Sequence, residues 1–300
     1  MTKSHLFITA SCLASFLSTS AFASATDQAH AYGLAKFGGT NQCGTTDMSH
    51  AAHTKSSAAF KNAFYWYSLV NLWGSSTAIN NTSAGSNLFT DALRSGSCSC
   101  TAQSDASANG IDSSVVAYIH THGGHSTTGK GRSSFSMGNM NAGNTCNVGT
   151  DTNFFFGNAS GGGKLEIAVI KACQGADLDV FKKGGYRAMV ATNSRFQVYN
   201  GFHGDSSCGN FVADYVEDYA ANSFGDGVGE NWIDEAYDND WFGDDDCPTS
   251  IVYGNSKSAR KNMFYNGGFL DRKLTNASKS GSSFFFVAGC EPSGGTKLPG

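Results

Sequence analysis

Ser114-Val-Val-Ala-Tyr-Ile119 runs directly into His120-Thr-His122-Gly123-Gly124-His125, and Leu165-Glu-Ile-Ala-Val-Ile170 runs in the same way into Lys171-Ala172-Cys173-Gln174-Gly175. Both apolar runs are short, β-branched and bounded by glycine, so both read as buried strands. Each delivers polar residues at a strand end, where open α/β sheets place their sites. A histidine at one strand end and a cysteine at another is the arrangement that a thiol nucleophile and its base require. Gly123 and Gly124 leave the backbone bare beside His122, which suits an amide that holds an oxyanion.

Outward from this core, strands alternate with helical stretches. Residues 58–73 place Phe60, Phe64, Tyr65, Leu69, Val70 and Trp73 near helical spacing. A short helical piece is expected at 88–93, a helical turn at 178–183, a third strand at 186–192 and a helix at 211–224. Later strands are expected at 250–253 and 283–288. Residues 126–164 form a long Gly-, Asn- and Ser-rich insertion around Phe154-Phe155-Phe156, and a connection of that length is usually functional or locally structured. The alternation predicts an α/β fold with a mostly parallel sheet and helices on its faces.

Of 300 residues, 15% are charged and the net charge is −4. No basic stripe is visible, so nucleic acid is not an expected partner. Lys3 and His5 precede a charge-poor apolar stretch from Leu6 to Leu17 and the small-x-small sites Ala21-Phe22-Ala23 and Ala23-Ser24-Ala25. Residues 1–25 therefore read as a secretory signal and 26–300 as one domain, secreted or periplasmic, with no membrane contact after processing. Eight cysteines remain after such processing: 43, 98, 100, 146, 173, 208, 247 and 290. An even count in an oxidising compartment favours disulfides. If Cys173 is a nucleophile, seven remain, and one more must stay reduced.

The pattern of apolar strand, His-Gly, spacer, apolar strand and Ala-Cys resembles the caspase-like cysteine peptidases, the group of caspases, gingipains, legumain and clostripain. Lys171-Ala172-Cys173-Gln174-Gly175 is similar to the caspase signature Gln-Ala-Cys-x-Gly, and His122 stands 51 positions before Cys173, against about 50 in that family. The resemblance covers residues 111–200, with an echo at 249–255, and also extends to an uncharacterised secreted bacterial group on the same core. It implies a caspase-like three-layer sandwich and hydrolysis of a protein or peptide substrate. His122 is then the base, Cys173 the nucleophile and the Gly123 amide an oxyanion donor. Lys171 replaces a polar residue that helps line the pocket in family members. Arg187 and Arg195 are further pocket candidates.

Two other readings use the same residues. His120, His122 and His125 have the spacing of a zinc hydrolase cluster, with His203 as a downstream ligand, although Gly124 stands where an aspartate belongs. Alternatively, Cys173 is a core thiol or half of a disulfide, and the chain is a secreted binding module. The acidic stretch 226–246 offers oxygen ligands suited to calcium, although its spacing fits no EF-hand. No other cofactor is expected.

Overall fold

A computed structural model describes residues 21–22, 28–37, 50–69, 73–81, 84–94, 105–138, 145–158, 160, 162–190, 194–207, 209, 211–238, 247–272 and 283–287. Residues 1–20 and 23–25 of the signal-like segment 1–25 lie outside them, with Cys43, Cys98, Cys100, Cys208 and Cys290 and residues 239–246 of the acidic stretch.

The elements in chain order are β1 (Ala21–Phe22), β2 (Ala29–Gly33), α1 (His50–Leu69), β3 (Ser76–Asn80), β4 (Val116–His120), β5 (Gly123–Ser126), β6 (Arg132–Ser136), β7 (Asn147–Gly149) and β8 (Ile167–Lys171). There follow α2 (Leu178–Lys183), α3 (Gly185–Ala188), β9 (Val198–Phe202), α4 (Val212–Asn222), α5 (Val228–Asp238), β10 (Pro248–Tyr253), α6 (Lys257–Asn266), β11 (Asp271–Arg272) and β12 (Ser283–Val287). Seven strands form one sheet in the order β12-β10-β9-β8-β4-β2-β3. From β3 to β9 every neighbouring pair is parallel; β10 and β12 add antiparallel partners at one edge. The chain is thus an α/β protein with a mostly parallel mixed sheet.

β4 and β8 sit at the centre because both faces of each strand are apolar, the mark of a doubly covered parallel strand. Val116, Tyr118, Ile167 and Val169 point to one face, where they meet Phe60 and Phe64 of α1, Val216 of α4 and Trp232 of α5. Ala117, Ile119, Ala168 and Ile170 point to the other, against Phe135, Phe154, Val180 and Tyr186. The second face is therefore covered by α2, α3 and the insertion. Within that insertion, β5, β6 and β7 form a small antiparallel sheet of their own.

Several expectations need correction. Residues 186–190 are not the third strand; α3 occupies Gly185–Ala188, and the strand paired with β8 beyond it is β9, while residues 191–192 of that expectation lie outside the described residues. Gly184, at φ 86°, closes α2 in the left-handed conformation and starts α3 at once. Tyr186 and Met189, both buried, stand three apart, as on one helical face, while Tyr186, Ala188 and Val190 in the same stretch alternate as a short strand would. The helix expected at 58–73 begins earlier, at His50, and ends at Leu69. Part of the acidic stretch is α5, an amphipathic helix that buries Val228, Trp232, Ile233 and Ala236 and leaves its carboxylates outward. The piece expected at 88–93 appears as two 3-10 turns, Ser86–Phe89 and Ala92–Arg94. Among the described residues, no helix is long and apolar enough to cross a membrane.

Candidate active site

β4 and β8 are adjacent and parallel, with His120 opposite Lys171. Beyond that pair the Thr121 amide still donates to Lys171 O at 3.1 Å. His122 and Cys173 therefore leave the same rim, each two residues past a paired position, on chains about 4.8 Å apart at their last pairing. Gly123 shows how close the chains stay. A Cβ there would lie 2.3 Å from the Cys173 carbonyl oxygen and 2.8 Å from the Ala172 Cβ, so only glycine fits without displacing Cys173.

The small sheet orients Gly123. In an antiparallel ladder, pairs that exchange both hydrogen bonds alternate with pairs that exchange none. Ser136 N–H donates to His122 O at 3.0 Å, which makes Gly123 and Phe135, the opposed pair just inside, one that exchanges none. The Gly123 N–H consequently points away from β6, off the outer edge of β5. Next to it Gly124 looks into open space, with nothing within 4 Å of a Cβ built there.

Cys173 is a thiol that is not half of a disulfide, whereas Cys146 and Cys247 are disulfide-bonded. Cys173 and His122 are both half-buried, reachable from solvent yet held. The Ser206 amide donates to Cys173 Sγ at 3.4 Å, and Sγ lies 3.8 Å from Ser206 O. The loop carrying Ser206 is anchored by Lys171, which is fully buried. Its Nζ donates to Ser206 Oγ at 2.6 Å and also to Ser207 O, and stands 5.0 Å from the centre of the Phe202 ring. Lys171, offered by the sequence as a pocket cation, is an anchor for the loop behind the thiol in this structure.

Gln174 follows Cys173 with φ 53°, in the left-handed region. Its Oε1 lies 2.6 Å from His125 Nδ1, its Nε2 donates to Asp205 Oδ1 at 3.2 Å, and its amide donates to Gly204 O at 2.7 Å. This network ties β5 and the loop after β9 to the turn that presents Cys173. The His122 ring packs on Phe37, with centroids 5.2 Å apart.

The four imidazoles named by the zinc reading have separate surroundings. His120 is buried on α1, its ring stacked on His53 at 3.6 Å and its Nδ1 2.8 Å from Ser56 Oγ. Burial, and then the charge of Lys171, hold His120 well below its ordinary 6.5. His203 Nδ1 lies 3.1 Å from Asp177 Oδ2 and accepts from the Leu178 amide at 3.1 Å. Among the described residues, the one convergent group of three His, Cys, Asp or Glu side chains is Asp91, Asp105 and Asp112, away from this rim. Arg195 precedes the start of β9 and so lies toward the opposite rim, and Arg187 is exposed on α3.

The sequence reading passed over three parts of this site. The Gly204–Ser207 loop follows a strand that was placed too early in the chain. Phe37 and the α1 residues His53 and Ser56 belong to a stretch that reads as polar connection. Their signals are contacts across 64 residues or more, such as Ser56 to His120, which no local pattern carries. Compared with known proteins, the chain matches no family model, no curated protein and no solved structure.

Proposed function

We propose that this chain is an exported caspase-like cysteine endopeptidase in which Cys173 is the nucleophile and His122 its base. The observation that carries this reading is the equal offset of the two residues past the His120–Lys171 pair, together with a thiol at Cys173 that is not disulfide-bonded. A mostly parallel sheet covered on both faces agrees with the sandwich that the resemblance implies.

In this reading His122 takes the proton of the Cys173 thiol as Sγ attacks the carbonyl carbon of the scissile peptide bond. The carbonyl oxygen becomes an oxyanion, and the outward N–H of Gly123 is oriented to donate to it. His122 returns its proton to the departing amine, leaving a thioester on Cys173. Water then attacks the thioester with His122 again as base, releasing the carboxylic acid and restoring the thiol. The open face over Gly124 gives a peptide room to approach along β5.

The test is a positional-scanning peptide library assayed with wild type and Cys173→Ala, beside mass spectrometry after iodoacetamide without reduction. Hydrolysis that vanishes in the variant, with Cys173 alkylated in wild type, supports the reading. An alkylated Cys173 without hydrolysis of any peptide favours the binding module.

A further inference from the structure

The rim opposite Cys173 carries a second arrangement. Asp91 precedes the turn Ala92–Arg94, Asp105 starts a turn, and Asp112 lies in the turn Ile111–Ser113 that leads into β4. One carboxylate oxygen from each lies within 4.8 Å of the other two. The three residues are 2%, 3% and 1% exposed. Among the described residues, no ion pair involves them.

Two of the carboxylates are held in place by backbone. Asp112 Oδ1 accepts from the amides of Gly157 and Leu165 at 2.7 and 3.2 Å, and its Oδ2 from the Asn158 amide at 3.2 Å. Asp91 accepts from the Leu93 amide at 2.7 Å and from Asn158 Nδ2 at 2.9 Å. The third, Asp105, also bonds to backbone, at the amides of Ala106 and of Asp105 itself, yet one of its oxygens is left over. Asp105 Oδ2 is buried, and among the described residues no donor reaches it. A buried acceptor without a donor costs free energy, and three buried carboxylates together cost more unless positive charge joins them.

We propose that Asp91, Asp105 and Asp112 bind a calcium ion between the starts of β4 and β8. An all-oxygen ligand set selects a hard cation and not zinc. Magnesium keeps several waters in a tight octahedron, whereas calcium accepts a crowded carboxylate cage at about 2.3–2.6 Å. Oxygens bound to one calcium are thus at most about 5 Å apart, and these three lie within 4.8 Å of one another. Through Asp112, bonded to the amide of Leu165, the ion would tie together the entry points of the two strands that end at His122 and Cys173. This site stands apart from the acidic stretch of α5, and it does not depend on the proposed peptidase activity.

The purified chain, freed of metal with a chelator and dialysed, is titrated with CaCl2 and, separately, MgCl2 by calorimetry and thermal melting. One calcium per chain is expected, with Tm rising by about 5 °C or more at a hundredfold excess over Kd. Asp105→Asn should weaken calcium binding at least tenfold and melt no lower than wild type without metal, because one like charge is gone. Asp234→Asn/Asp238→Asn on α5 should change neither. Should Asp105→Asn fail to fold, Tb3+ binding to wild type provides the second readout. Emission excited through tyrosine, displaced by Ca2+ and lost in Tyr32→Phe, is expected, since the Tyr32 hydroxyl donates to Asn109 O at 2.9 Å, in the turn that begins at Asp105. No calcium binding, an equal effect of magnesium, calcium affinity unchanged in Asp105→Asn, or Tb3+ emission indifferent to Tyr32→Phe would each overturn the assignment.

Discussion

Gly123 and Cys173 are packed backbone to backbone: a single methyl group on Gly123 would sit 2.3 Å from the Cys173 carbonyl oxygen. That contact holds the small sheet of the insertion, and with it the backbone beside His122, against the turn that presents Cys173.

Gly123→Ala should therefore separate the two. We expect destabilisation of about 1–3 kcal/mol from overpacking and at least a hundredfold loss of peptide hydrolysis. Gly124→Ala is the control. Open space surrounds that position, so its stability should stay within about 0.5 kcal/mol of wild type. Chemical denaturation and kcat/KM for both variants check the pair, and equal effects at the two positions would remove the packing argument.

Cys173→Ala should abolish hydrolysis and iodoacetamide labelling at this site while changing stability by only about 1 kcal/mol, because the side chain is half-buried. His122→Ala should slow labelling as well as hydrolysis. Undiminished turnover by either variant sinks the dyad.

Lys171→Met keeps the length of the side chain but removes the ammonium that binds Ser206 Oγ and Ser207 O. Those oxygens lose a buried donor, at a cost of about 1–3 kcal/mol. The loop whose Ser206 amide reaches Cys173 Sγ then loosens, and labelling of Cys173 should slow several-fold. Labelling at the wild-type rate would mean that Lys171 has no hold on the thiol.

His120 predicts an acid limb in stability. Burial holds its folded-state value well below 6.5, and burial lowers His30 in the same direction. Between the folded value and 6.5 the unfolded chain binds the extra proton, so unfolding becomes easier as pH falls. The contribution is intact above about pH 6.5 and is lost progressively below it, at up to about 1.4 kcal/mol per pH unit for each such group. Urea midpoints between pH 7 and pH 5 measure this, and His120→Gln should flatten the slope. An unchanged slope in that variant would assign the acid limb to other groups.

Much of the centre of this protein is legible in its residue order. Ile-Ala-Val-Ile before Lys171 and Val-Ala-Tyr-Ile before His120 are period-2 patterns with both faces apolar, and that information is local: each residue's face follows from its neighbours. The α/β class, the two central strands, and the emergence of His122 and Cys173 from their ends could all be read that way. The stretch 186–192 could not, because Tyr186, Ala188 and Val190 alternate as in a strand while Tyr186 and Met189 stand at helical spacing, and only packing chooses between them. Nor could β2 (Ala-His-Ala-Tyr-Gly) or β3 (Ser-Thr-Ala-Ile-Asn), whose small and polar residues become strands by pairing with β4 and with each other. Register, the Ser206 loop behind the thiol, the burial of Lys171 and the meeting of Asp91, Asp105 and Asp112 were settled by tertiary structure alone. Each brings together groups far apart along the chain, and the energy that holds them comes from burial and hydrogen bonds that do not exist until the sheet has closed over them.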